Sequence, residues 1–166
     1  MKIGRMGTRT LAAALAAAAV LSSAAPSTPA LAKTKARKLT ATEKTVRKRL
    51  LAFKKKYPEG KKWGGKVYRA YGCGIYSGGY GCAVFAFELF AGAFGRKARG
   101  RLRKSGYLKA RVGDVIRRGG HSMIVIGTKP NGGVEVAEGN YSGRVHWGRT
   151  VSKSELKKLS NLISAY

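Results

Sequence analysis

Cys82 is the side chain of this sequence best suited to act as a nucleophile. It follows a glycine-rich stretch (78–81) and begins an apolar segment, CAVFAFELF at 82–90, that contains neither proline nor glycine. An apolar, alanine-containing segment directly after a glycine turn favours a buried helix. A thiol reacts as its thiolate, and its ordinary pKa of about 8.5 falls at the first turn of a helix, where unpaired amides favour negative charge. The sequence therefore predicts a reactive thiol at a helix start.

A nucleophilic thiol needs an imidazole as acid and base, and a polar group that holds the ring. His121 begins a predicted strand, and a second predicted strand follows the turn at Pro130 and Asn131. If the hairpin is symmetric about that turn, His121 lies opposite Asn140, with Glu138 diagonal to it. Directly opposed residues share a face of a sheet. Either Glu138 or Asn140 could then orient the imidazole.

Other candidate residues have simpler interpretations. Cys73 could form a disulfide with Cys82 and close a small glycine-rich loop, and the sequence leaves this alternative open. His146 is interpreted as a surface or packing residue, and Asp114 as a structural residue at a turn before a strand. No cluster of metal ligands is visible, so we expect neither a metal nor another cofactor.

The elements that would position these residues are helical first and extended later. Thr40 and Glu43 have the spacing of a capping box, and apolar residues then recur at helical intervals until Pro58. The stretch 60–81 is predicted as loop or short strand, 95–109 as a basic connection, and the tail from residue 152 as a short helix. Strands are predicted at 112–116, 121–126, 134–138 and 145–151. This order predicts an α+β fold, with N-terminal helices packed on an antiparallel β-meander.

The order of these motifs resembles a known group of enzymes. A cysteine at a helix start, the Gly113-Asp114 step, His121-Ser122 leading an apolar strand, and V-x-V-x-E-x-N-Y at 134–141 are similar to papain-like amidases and endopeptidases of the CHAP and NlpC/P60 group. The resemblance is closest to CHAP domains and spans about 80–149. Ala83 departs from it, since these families usually carry a polar residue after the cysteine.

The resemblance implies a papain-like fold for a single domain over residues 39–166. It implies that Cys82 is the nucleophile and His121 the general base and acid. Glu138 or Asn140 would orient the imidazole, and the amide of Cys82 would donate to the oxyanion. The implied activity is hydrolysis of peptidoglycan peptide bonds through an acyl-enzyme.

The first 32 residues have the three parts of a secretory signal peptide. Basic residues precede an apolar stretch at 11–20, and Ala30-Leu31-Ala32 supplies an A-x-A cleavage pattern. The apolar core is shorter than the roughly 20 residues that cross a bilayer. We therefore expect cleavage near Ala32, a basic flexible leader at 33–38, and a secreted protein, extracellular or wall-associated, with no transmembrane segment.

Charge predicts the kind of partner. The chain has 34 Lys and Arg against seven Asp and Glu, and the predicted signal removes only three of the cations. Such an excess of positive charge favours binding to polyanions. The candidates here are peptidoglycan with its anionic wall polymers, or nucleic acid through non-specific attraction. We expect a monomer.

Two rival functions fit this composition. One is a non-enzymatic cationic protein on a similar fold, either a wall- or membrane-binding protein or an antimicrobial protein. The other is a secreted nuclease that uses His121 and His146 as acid and base in a basic groove.

Overall fold

The fold is described by a computed structural model. It covers residues 38–166 apart from 67, 74, 75, 99, 105–108 and 160, and for 68–78 and 104 it describes the backbone only. The predicted signal peptide (1–32) and residues 33–37 of the predicted leader lie outside the described residues. Within the described part, no helix has the length and apolar character needed to cross a membrane.

Helices and strands alternate in the first half of the described chain, and strands dominate the second. The helices are α1 (Ala41–Ala52), α2 (Gly81–Phe94) and α3 (Lys153–Leu156). The strands are β1 (Tyr68–Cys73), β2 (Tyr76–Tyr80), β3 (Arg101–Lys104), β4 (Val115–Arg118), β5 (His121–Thr128), β6 (Val134–Tyr141), β7 (Arg144–Val151) and β8 (Asn161–Ser164).

The main sheet has six antiparallel strands in the order β3-β8-β4-β5-β6-β7. Strands β4 to β7 form the predicted meander, whereas β8 returns from the end of the chain to lie between β3 and β4. Strands β1 and β2 make a separate antiparallel hairpin directly before α2. The predicted α+β class is confirmed, with a sheet that is larger than a simple meander.

Helix α2 is the central buried element, as its apolar sequence predicts. A helix that is apolar on every side must be covered on every side, and α2 packs against α1, β5 and β6. Phe85 is fully buried, and its ring meets those of Tyr57, Trp63 and Trp147 at centroid distances of 5.7, 5.4 and 6.0 Å. These edge-to-face contacts, typical of aromatic pairs, fix the first turns of α2 against the sheet.

Helix α1 begins at the predicted capping box. The Thr40 hydroxyl accepts from the amide of Glu43, and the Glu43 carboxylate accepts from the amide of Thr40. Val46 and Leu50 are buried, as the helical spacing predicts. The helix ends at Ala52, earlier than predicted, because the chain turns over 53–56 before Pro58 is reached.

The prediction that the first strand covers 112–116 was wrong at its start, since β4 begins at Val115. Gly113 has φ +98°, and the amide of Asp114 donates to the Arg111 carbonyl at 3.0 Å, so the chain turns there. The basic connection predicted at 95–109 contains β3. The tail begins as the predicted short helix, α3, but then continues into β8.

Candidate active site

Cys82 is the second residue of α2, close to the point where the sequence predicts a helix start. The preceding Gly81 has φ +48°, and a Cβ built on it would lie 2.9 Å from the Cα of Gly65. The Trp63 indole donates to the Gly81 carbonyl at 2.9 Å. Glycine at position 81 therefore permits the chain to turn into α2 while pressed against the 63–65 segment.

The sulfur of Cys82 is a free thiol that is surrounded by backbone groups. The Ser122 amide donates to it at 3.4 Å, and the Ala83 amide within the same helix turn is a second donor. The Gly120 carbonyl lies 3.9 Å from the sulfur. The disulfide with Cys73, which the sequence left open, is not formed; the side chain of Cys73 lies outside the described residues.

His121 and Glu138 form a hydrogen-bonded pair beside this thiol. The Nε2 atom of His121 lies 2.7 Å from Oε2 of Glu138. The sulfur of Cys82 meets backbone groups of Gly120 and Ser122, the two chain neighbours of His121, so the imidazole stands beside the thiol and each shifts the pKa of the other. Because Nε2 is occupied by the carboxylate, Nδ1 is the ring nitrogen available to the sulfur.

The register of β5 and β6 agrees with the symmetric hairpin that the sequence predicted. Ile124 faces Ala137, and Val125 faces Val136. The register shifts by one residue between Val125 and Gly127, so the turn itself is not centred where the prediction put it. The irregularity lies toward the turn, and the described pairs nearest the site, Ile124–Ala137 and Val125–Val136, have the predicted register. The described pairs stop short of His121 and Asn140, so the predicted pairing of those two residues stays a prediction.

Asn140 has a different position from Glu138, although the sequence offered both as partners of the imidazole. It lies within the irregularity between Glu138 and Tyr141, where the pairing of β6 with β7 shifts, and has φ +60°. Its side-chain Nδ2 lies 3.3 Å from where a Cβ on Gly65 or on Gly81 would stand. Asn140 therefore packs against the start of α2, while Glu138 contacts the ring.

Arg149 is a member of the cluster that the sequence analysis did not identify. Its Nε lies 2.5 Å from Oε1 of Glu138, and its Nη2 lies 3.0 Å from Oε2. The Glu138 side chain is 0% exposed, so its charge is compensated only by these neighbours. Burial acts to raise the pKa of Glu138, but His121 and Arg149 outweigh it and hold that pKa below its ordinary range.

The thiol and the imidazole shift each other's titration in opposite directions. The neighbouring Cys82 thiol and the Glu138 carboxylate raise the pKa of His121 to about 9, against the opposing effect of burial. Burial acts to raise the pKa of Cys82, but the contact with His121 and the amide of Ser122 outweigh it and lower that pKa. Opposite shifts of this kind favour a thiolate–imidazolium pair near neutral pH.

The remaining histidine lies in a separate surface cluster. Nδ1 of His146 lies 2.7 Å from Oε1 of Glu59, and the ring of His146 stacks on that of Tyr141 at a centroid distance of 5.3 Å. Glu59, which the sequence analysis did not single out for a role, also accepts from the amide of Trp147 at 2.8 Å. His146 and His121 thus have different carboxylate partners.

Asp114 supports the turn before β4, as predicted. Its carboxylate accepts from the amide of Arg111 at 2.8 Å, and the residue is 1% exposed. Burial raises its pKa to about 6, against the hydroxyl of Ser164 and nearby arginine charges.

Among the described residues, no group of three or more His, Cys, Asp or Glu side chains has the arrangement of a metal site. Comparisons of the chain with protein-family models, curated proteins and solved structures give no match. The chemistry of the site therefore has to be argued from its own geometry.

Proposed function

We propose that this protein is a secreted cysteine amidase or endopeptidase that cleaves peptide bonds of cell-wall peptidoglycan. The observation that carries the proposal is the position of the Cys82 sulfur against the backbone on both sides of His121, whose imidazole is held by the buried carboxylate of Glu138. A nucleophile, a base within hydrogen-bond reach of it, and a third group that orients the base are the elements of covalent acyl transfer.

In the first half of the reaction, the thiolate of Cys82 attacks the carbonyl carbon of the substrate and forms a carbon–sulfur bond. The carbonyl oxygen takes up negative charge as the carbon becomes tetrahedral. The Cys82 amide, in the first turn of α2, is among the amides that have no acceptor inside the helix and is suited to donate to this oxygen. His121, as imidazolium, gives its proton to the leaving nitrogen while the carbon–nitrogen bond breaks.

In the second half, water attacks the thioester carbonyl. His121, now neutral, takes a proton from the water as the carbon–oxygen bond forms. The carbon–sulfur bond breaks, the acid product leaves, and the thiolate–imidazolium pair is restored. Glu138 holds the ring in one orientation through Nε2 in both halves and stabilises the imidazolium.

Three further features support the choice of substrate and fold. The thiol at the start of a buried helix, packed on an antiparallel sheet that carries the histidine, supports the proposal of a papain-like fold. The signal-like sequence at 1–32 would export the protein, and the excess of 34 basic over seven acidic residues would hold it on anionic wall polymers.

Replacement of Cys82 tests the mechanism. Purified protein incubated with peptidoglycan is expected to release new free amino groups, and Cys82→Ala is expected to abolish the release because no acyl-enzyme can form. Cys73→Ala is the matched control, since it removes the other thiol and should keep activity. Hydrolysis that survives Cys82→Ala would contradict the mechanism.

A specific observation also favours the non-enzymatic alternative, a cationic protein that binds the wall. All seven Asp and Glu side chains already have local partners in the fold, so most of the 34 basic side chains have no acidic side chain left to pair with. They are Glu43, Glu59, Glu88, Asp114, Glu135, Glu138 and Glu155. If Cys82→Ala binds or kills as well as the wild type while neither cleaves peptidoglycan, this alternative replaces the enzyme.

No observation favours the nuclease alternative. His121 is engaged by Glu138 and Cys82, whereas His146 is engaged by Glu59 and Tyr141. An acid–base pair acting on one phosphodiester needs two rings directed at the same group, and these contacts assign the rings to separate clusters.

A further inference from the structure

We propose that Arg149 is a positioning residue of this site, which acts through Glu138 to keep the imidazole oriented and the thiol of Cys82 ionised. The inference rests on the proposed thiolate–imidazolium chemistry. It adds a fourth member, from β7, to a cluster built by α2, β5 and β6.

The contact between Arg149 and Glu138 has two points. Nε of the guanidinium meets Oε1 at 2.5 Å, and Nη2 meets Oε2 at 3.0 Å. The second oxygen is the one that also receives His121 at 2.7 Å. A planar guanidinium bound to both oxygens fixes the plane of the carboxylate, and the carboxylate plane in turn fixes the direction from which it receives the imidazole.

Arg149 is itself held in place. Its Nη2 also contacts the sulfur of Met123, and its guanidinium lies over the ring of Tyr141 at 5.7 Å. Its side chain is 26% exposed, so most of it is enclosed. A long side chain confined in this way orients its partner at a small further cost in side-chain entropy.

The charge of Arg149 matters because Glu138 is completely buried. A buried carboxylate without a compensating cation tends to take up a proton. A protonated Glu138 would donate to Nε2 and leave the imidazole neutral, which would remove the positive charge that favours the thiolate. With Arg149 present, Glu138 stays an anion through the proton transfers at His121.

Other charged groups surround this cluster and must be considered in a pH experiment. Arg118, from β4, lines the same cavity as His121 and Arg149, a space of about 250 Å³. Arg118 is paired with Glu155, which also acts on Arg149 from α3. None of the contacts described for Arg118 and Glu155 joins Glu138. Arg149 is therefore the cation that is expected to act on the imidazole through Glu138.

The test measures ionisation of Cys82 without a substrate. Alkylation of Cys82 by iodoacetamide, followed by peptide mapping between about pH 5 and pH 10, gives a midpoint that reports the thiolate. We expect a wild-type midpoint below the ordinary value of about 8.5. Arg149→Met is expected to raise it by about one pH unit, which is about a tenfold loss of thiolate on the acid side. Arg144→Met, an exposed arginine of the same strand that contacts the Gly60 carbonyl, is the matched control and should not move it.

A double-mutant cycle separates action through Glu138 from a general effect of charge. In a Glu138→Gln background, Arg149→Met should shift the midpoint much less than in the wild type, because the carboxylate it acts through is gone. An equal shift in both backgrounds would overturn the inference, as would an unchanged midpoint in folded Arg149→Met. If Arg149→Met fails to fold, Arg149→Gln decides: it removes the charge but keeps a long polar side chain, and a wild-type midpoint would overturn the role.

The outcomes also separate this inference from the proposed function. A low wild-type midpoint that depends on Arg149, together with intact peptidoglycan, would contradict the choice of substrate and leave the role of Arg149 standing. A low midpoint that stays the same in Arg149→Met would overturn only the positioning role. An ordinary midpoint in the wild type would overturn both.

Discussion

At the scale of single residues, the site depends on how a thiol and an imidazole share one proton. Glu138 and the backbone amides around the sulfur both favour the form in which Cys82 is an anion and His121 a cation. In the proposed reaction, His121 then transfers this proton to the leaving nitrogen. Two shifted groups therefore define the pH range over which the proposed enzyme can act, bounded by the lowered pKa of Cys82 and a pKa of about 9 for His121.

The first prediction concerns that range. Peptidoglycan hydrolysis should fall on the acid side as the thiolate is protonated, and again above about pH 9 as His121 loses the proton that it gives to the leaving nitrogen. Alkylation of Cys82 needs only the thiolate, so it should continue above pH 9. Rates of both reactions measured across the same buffers check this.

Two variants show whether the imidazole of His121 lowers the pKa of Cys82. His121→Ala should move the alkylation midpoint toward the ordinary value of about 8.5. His146→Ala should leave it unchanged, because that ring is held by Glu59 in another cluster. A midpoint that does not respond to His121→Ala would mean that the backbone amides alone set the ionisation of the thiol.

At the scale of elements, the site is assembled where the start of α2 meets the ends of β5 and β6. Close approach there requires residues without side chains. A Cβ on Gly139 would lie 2.5 Å from the Cβ of Phe85, and a Cβ on Gly81 would lie 2.9 Å from the Cα of Gly65. Gly139 therefore permits the close approach of the sheet to α2, and Gly81 permits the close approach of α2 to the 63–65 segment.

The second prediction compares two glycines with similar backbone conformations. Gly81→Ala places a methyl group at φ +48° against the backbone, whereas Gly143→Ala places one at φ +73° with no atom within 4 Å. Both variants should lose about 1–2 kcal/mol of unfolding free energy, because alanine is strained in the left-handed conformation. Gly81→Ala should lose more, and it alone should slow alkylation of Cys82 at pH 6.5, because the start of α2 must move.

Urea unfolding and alkylation rates of the two variants measure these effects. Equal losses of stability, with equal alkylation rates, would show that contact with Gly65 does not position the thiol. The stability loss of Gly143→Ala, with a wild-type alkylation rate, provides the reference for backbone strain alone.

The elements that the sequence predicted share strong local signals. The capping box at Thr40 and Glu43, the apolar segment of α2, and the alternating strands of the meander are each visible within a short window, and the structure contains them. The pairing that brings Glu138 toward His121 followed from one turn, because hairpin partners are close in sequence.

The parts that were missed depend on distant contacts. Strand β3 is RLRK, which in so basic a chain is indistinguishable from a solvated connection, and it is a strand because β8 pairs with it from 60 residues away. Arg149 is one of 34 basic residues. Nothing in its local sequence separates it from the others, since its role arises from a carboxylate on the adjacent strand.

At the scale of the whole molecule, the balance of charge leaves stability dependent on a few buried carboxylates. Asp114 is one that the proposed mechanism does not use. It lies in the turn before β4, at 1% exposure, and its folded-state pKa is about 6. An exposed aspartate in the unfolded chain titrates near 3.9. The folded protein therefore binds this proton more tightly than the unfolded chain does.

The third prediction follows from the sign of that difference. A raised folded-state pKa contributes stability that is present below about pH 4 and is lost as pH rises through about 6. Asp114→Asn keeps an oxygen that can accept from the Arg111 amide but carries no charge at any pH. Its unfolding free energy relative to wild type should therefore rise by about 2–3 kcal/mol between pH 4 and pH 8. Urea unfolding of both proteins at these two pH values, in the same salt, measures the difference. A difference that does not change with pH would mean that the surrounding arginines compensate the buried charge in full.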